Sequence, residues 1–103
     1  MKFMHFTIFP VEKGADVAAV SDKVWANVPQ KNRPEANYLM LCIPQFNIPP
    51  NSLVVSTITE DDSAEAIAAR VYPLSLAGAT IHSVPLLDMP IVAGAKTEKK
   101  YRG

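Results

Sequence analysis

Phe3 to Phe9 reads F-M-H-F-T-I-F and runs into Pro10. Aromatic and β-branched residues suit a pleated, half-buried surface, and proline has no N–H to give a sheet ladder, so this stretch is a strand that stops at residue 10. Successive side chains of a strand point to opposite faces. Phe3, His5, Thr7 and Phe9 therefore share one side, and Met4, Phe6 and Ile8 the other. The second set is wholly apolar and is expected to face a helical layer. The mixed first set is expected to face away.

Working outward, residues 11–14 form a turn, and Val17, Val20, Val24, Trp25 and Val28 then recur at helical spacing, with Asp16, Asp22, Lys23 and Asn27 on the opposite side. The helix spans Ala15 to Val28 and ends before Pro29. Its valines lower its intrinsic propensity, so it depends on packing against a sheet. A polar connection (Gln30 to Asn37) leads to the apolar run Tyr38 to Ile43, Y-L-M-L-C-I, closed by Pro44; Leu53 to Thr59, L-V-V-S-T-I-T, is β-branched and alternating. These are the second and third strands. Asp62 followed by Glu65 resembles a capping box, and Ala64, Ile67, Ala68 and Val71 line one face of a second helix that reaches about Tyr72. Pro73 is expected to end or kink it. Ala79 to Leu87, opened by Gly78, is the last strand, and the locally basic residues 93–103 are expected to be a mobile tail behind a domain of residues 1–92.

The order βαββαβ predicts an α+β fold of the ferredoxin-like type, a four-stranded antiparallel sheet in the order 4-1-3-2 with both helices on one face. Pro44 and Pro85 fall at or within the strands that this order puts at the edges, where proline is tolerated. The chain has 103 residues, 49% of them hydrophobic, enough for one modest core. Ten Lys and Arg balance ten Asp and Glu, so no global field favours nucleic acid or an anionic membrane. There is no run of 18 apolar residues for a membrane span and no signal-peptide pattern at the start. The lone cysteine, Cys42, fits a reducing cytoplasm, and no Cys/His spacing for a metal is present. No cofactor motif is present either, neither a Gly-rich phosphate loop nor a G-x-S-x-G elbow.

With both helices on one face, the open face is still too apolar for water and should be covered by a second copy. The chain resembles the dimeric α/β-barrel superfamily of ferredoxin-like proteins. From Leu53 to Met89 (strand, E-D-D-S-A-E-A helix start, short helix, strand ending V-P-L-L-D-M) it is similar to an uncharacterised conserved family and, loosely, to muconolactone isomerases. The resemblance implies a homodimer whose sheets pack face to face around a cleft for a small, often cyclic or aromatic, molecule. It implies no particular reaction.

The fourth strand divides into Ile81, Ser83, Pro85 and Leu87 against Thr80, His82, Val84 and Leu86. Its second set is expected on the open face with His5 and Thr7. His5 and His82 are then diagonal neighbours and candidate catalytic residues, since two imidazoles can exchange protons near neutrality. The plainer reading makes them hydrogen-bonded structural histidines. Thr7, Tyr38, Cys42 and Thr80 are candidate ligand contacts in the same cleft. Glu12 reads as a turn carboxylate and Trp25 as the residue that packs the first helix on the sheet. Three functions compete: a homodimer holding a small apolar or aromatic ligand, a cofactor-independent isomerase or monooxygenase-like enzyme using His5 and His82, and a purely structural oligomerisation module.

Overall fold

The structure, a computed structural model, describes residues 1–40 and 48–103. Four strands form one antiparallel sheet: β1 (Lys2–Pro10), β2 (Ala36–Met40), β3 (Ser52–Glu60) and β4 (Thr80–Pro85), with helices α1 (Gly14–Ala26), α2 (Ala64–Leu76) and α3 (Gly94–Arg102). The strand order is β2-β3-β1-β4, which read from the other edge is 4-1-3-2, so β1 and β3 are central. β1 pairs with β3 from Lys2↔Glu60 to Pro10↔Ser52 and with β4 from Phe3↔Pro85 to Ile8↔Thr80. The remainder of the expected second strand, with Cys42 and the Pro44 expected to close it, lies outside the described residues.

Cross-strand partners share a face, and the register turns the expected orientation of the sheet over. Phe9 lies in one core with Val17 of α1, Leu74 of α2 and Ala79, and Val20, Leu53, Val55 and Ile81 pack against it. The helices therefore cover the face of Phe3, His5, Thr7 and Phe9. The apolar set Met4, Phe6 and Ile8 lies on the other side with Val54, Ile58 and Val84. Hydrogen bonding explains the reversal. Burying a polar side chain costs little once it is paired, and every buried side-chain polar atom among the described residues has a partner. Counting apolar residues per face overlooks this.

Three local expectations shift. The N-cap of α2 is Ser63, whose hydroxyl accepts from the Ala66 N–H at 3.1 Å, not Asp62. Asp61 is held by its own backbone bond to Met1 (2.8 Å), so the extended residue that enters the helix comes two positions later. Helix α2 also runs through Pro73 to Leu76. An interior proline costs about 3 kcal/mol, but the extra turn buries Leu74 in the core, worth roughly 1.5–3 kcal/mol. Gly78, at φ 111°, turns the chain from α2 into β4, a conformation that L side chains rarely adopt. Finally, the basic segment expected as a mobile tail is helical, stabilised by a Glu98–Arg102 pair one turn apart and by the Tyr101 hydroxyl donating to the Asp88 carbonyl.

Removing the observed cap should matter more than removing the expected one. Ser63→Ala should destabilise the protein by about 1 kcal/mol and Asp62→Ala by only a few tenths, measured by urea unfolding. Equal losses would contradict the assignment.

Candidate functional site

β1 and β3 lie side by side, and their alternation places His5, Thr57 and Thr59 beneath the helices, with His5 opposite Thr57 on one side and opposite Ser83 on the other. The end of β3 delivers Asp61, and α2 delivers Arg70. These residues form a connected chain. His5 Nδ1 is 2.8 Å from the Ser83 hydroxyl and Nε2 is 2.7 Å from the Thr59 hydroxyl. Thr59 donates to one oxygen of Asp61, and Arg70 binds the other. The guanidinium of Arg70 also sits 5.2 Å from the centre of the Trp25 ring, a cation–π arrangement that joins α1 to α2. Phe3 stacks on the imidazole at 6.0 Å.

This geometry fixes the tautomer of the neutral ring. An ionised carboxylate only accepts, so the single hydroxyl hydrogen of Thr59 is committed to Asp61, and its oxygen must accept from His5 Nε2–H. A neutral His5 then offers Nδ1 as acceptor for the Ser83 hydroxyl. Burial is the largest influence on His5 and pushes its pKa below the ordinary 6.5; Asp61 opposes this and Arg70 adds to it. Burial alone would raise the carboxyl of Asp61. The bonds from Thr59 and Arg70, with the charges of Arg70 and His5, outweigh it and hold Asp61 below its ordinary 3.8.

Beside this chain a cavity of about 240 Å³ opens between the sheet and helices α1 and α2. Its walls are largely apolar (Phe9, Val17, Trp25, Ile67, Leu74, Ile81), with His5, Thr7, Asn37, Thr57 and Arg70 supplying polar groups. Thr57 donates to Asn37 Oδ1 at 2.8 Å, which leaves the Asn37 amide hydrogens as donors. A compact apolar body with one or two acceptors suits such a lining.

The candidate residues divide between two faces. His5 and Thr7 line the cavity under the helices. His82 pairs with Phe6 across the sheet and Tyr38 with Ser56, which puts both on the opposite face. The structure therefore does not bring His5 and His82 together. Alternation within β4 was read correctly, but its register against β1 is set by the tertiary fold, and it places Ser83, not His82, beside His5. Thr80 and His82, with Glu12, border a second cleft, of about 550 Å³, by Ile48 and Pro49. Trp25 lines the cavity as well as packing its helix. Cys42 lies outside the described residues. Asn37, Thr57, Thr59, Asp61, Arg70 and Ser83 are the participants that sequence reasoning missed. The clue was a T-I-T alternation followed by Glu60 and Asp61, with an arginine on the following helix.

Among the described residues no group of three or more His, Cys, Asp or Glu could hold a metal, and no helix is long and apolar enough to cross a membrane. Compared with known proteins, the chain matches no family model, no curated protein and no solved structure.

The pKa directions give a stability profile. Because the folded protein binds the His5 proton only at lower pH than the unfolded chain does, stability from this group is full above 6.5 and falls as pH drops towards the lowered folded value. The contribution of Asp61 is present above 3.8 and is lost as pH falls through its own lowered value. The melting temperature should therefore decline in two stages with acid. His5→Gln should abolish the first stage, and a variant that retained the wild-type slope just below pH 6.5 would contradict the assignment.

Proposed function

We propose that the protein is a small-molecule-binding homodimer, a ferredoxin-like α+β domain paired through its uncovered sheet face as a dimeric α/β barrel. The observation that carries the binding reading is the cavity between sheet and helices, apolar in its walls with convergent polar groups, as ligand sites are. At about 240 Å³ it is smaller than the roughly 300–1,000 Å³ of pockets for drug-sized ligands, so it suits a small ring bearing a carbonyl or hydroxyl. The seat differs from the one the family resemblance implies, since this cavity lies within the protomer.

The dimer is supported by the composition of the uncovered face. Val84, Met4 and Ile58 form one cross-strand row, and Phe6, Ser56 and Tyr38 flank it. Val84 is 41% exposed and Tyr38 64% exposed. Ile48 packs against Ile8 and Val54 at one end and Ser56 is buried, while Val84 and Tyr38 stay exposed for a partner. At about 25 cal/mol per Å², several hundred Å² of apolar surface gives a gross gain on the order of 10 kcal/mol before association entropy is subtracted. The second copy would meet Val84, Met4 and Phe6. His5 and Thr7 are not available to it.

Two measurements test these readings separately. A thermal-shift screen of aromatic fragments should find ligands that, at ten times Kd, stabilise by about 1.4 kcal/mol, a rise on the order of 5–10 °C. Ala18→Phe, which adds a ring to the cavity wall, should remove the effect; no stabilising fragment, or unchanged binding in the variant, would overturn the ligand reading. In sedimentation experiments the wild type should be a dimer at micromolar concentration. Val84→Asp should yield monomer or insoluble protein and Lys23→Asp should be mild. A monomeric wild type would overturn the pairing.

A further inference from the structure

The chain of groups around His5 ends in a residue that the cavity does not use. Ser83 is exposed on the edge strand β4, and its hydroxyl meets the bare Nδ1 lone pair of His5 at 2.8 Å. Behind the ring, Nε2–H is engaged by Thr59, which in turn is tied to Asp61, and Nε2 is itself only 3.5 Å from the carboxylate. His5, Thr59 and Asp61 are buried. Ser83 is thus the exposed end of this chain of groups, and the base behind it is buried. In order, these are a nucleophile, an imidazole held in one tautomer, and a buried carboxylate that stabilises the imidazolium formed when the proton moves.

We propose that Ser83 is an activated serine nucleophile towards small carboxylic esters, with His5 as its general base. Ser83 Oγ forms a bond to the ester carbonyl carbon as its proton passes to His5 Nδ1. The bond from that carbon to the leaving oxygen then breaks, and the departing alcohol takes the proton from Nδ1. Water repeats the sequence on the acyl-serine: its proton goes to His5, the acid leaves, and Ser83 Oγ recovers a hydrogen. No oxidant or other co-reactant is needed. Asp61 and Arg70 are the charged groups facing the ring, and their opposite charges leave His5 able to gain and return a proton. The inference goes beyond ligand binding and does not depend on the cavity, whose lining excludes Ser83.

The wild-type protein, treated with a fluorophosphonate probe and analysed by peptide mapping, tests the idea. The adduct should form on Ser83 roughly a hundredfold faster than on the exposed Ser75 of α2, since a positioned base contributes about 10²–10⁴. Ser83→Ala should remove it, and hydrolysis of p-nitrophenyl acetate should fall in parallel. His5→Gln should slow labelling to the Ser75 rate. In case that variant fails to fold, the pH dependence of wild-type labelling provides a second readout: the rate should rise as His5 loses its proton and then level off. Absence of an adduct, equal rates at Ser83 and Ser75, or a rate indifferent to pH across the His5 titration would overturn the proposal. Fragment binding in the cavity would be unaffected by that outcome.

Discussion

The structure depends most on one buried carboxylate. Asp61, 5% exposed, stands where β3 ends, and an unpaired charge there would cost several kcal/mol. Thr59 takes one of its oxygens and Arg70 the other, so the strand end and α2 are fixed to each other. Arg70 then reaches α1 through the Trp25 ring, and Thr59 reaches β1 through His5. A single ionised group thus links both central strands and both covering helices. The site beside it is held by the same bonds that hold the fold.

This polar junction also explains which face of the sheet the helices cover. The central strands carry His5, Thr7, Thr57 and Thr59 among Phe3, Phe9, Leu53 and Val55 on one side, and Met4, Phe6, Ile8, Val54 and Ile58 with Ser56 on the other. Hydrophobic burial by itself would bring the second group under the helices. The first group goes there with His5, Thr57 and Thr59 paired to one another or to Asn37, Asp61 and Ser83, and with Phe9 in the core beneath the helices. The consequence is functional. A polar core beside an incompletely filled helix–sheet interface leaves a cavity with hydrogen-bonding groups, and the displaced apolar set lies on the opposite face of the sheet.

The two chemical features of the protein lie at different depths. The cavity is lined by side chains from the sheet and both helices. Ser83 stands at the sheet edge and shares only His5 with that interior. His5 therefore belongs to both, with a carbon face towards Phe3, one nitrogen towards the edge and the other towards the buried carboxylate.

Local residue patterns determined the elements of this protein. The F-M-H-F-T-I-F and L-V-V-S-T-I-T strands, the valine-spaced first helix, the prolines near strand edges and the α+β order all depend on interactions within a few residues, and those are encoded where they act. Alternation also sorted the side chains of each strand into two sets. Which set faces inward, and which residues of different strands meet, was decided only by the tertiary structure. Register is a relation between segments far apart in the chain, so His5 acquires Ser83, 78 positions away, as its partner in place of His82. The same holds for Arg70 and Asp61, whose pairing depends on where α2 crosses the end of β3. Polar groups become cheap to bury only after such partners are found, and no single strand contains that information.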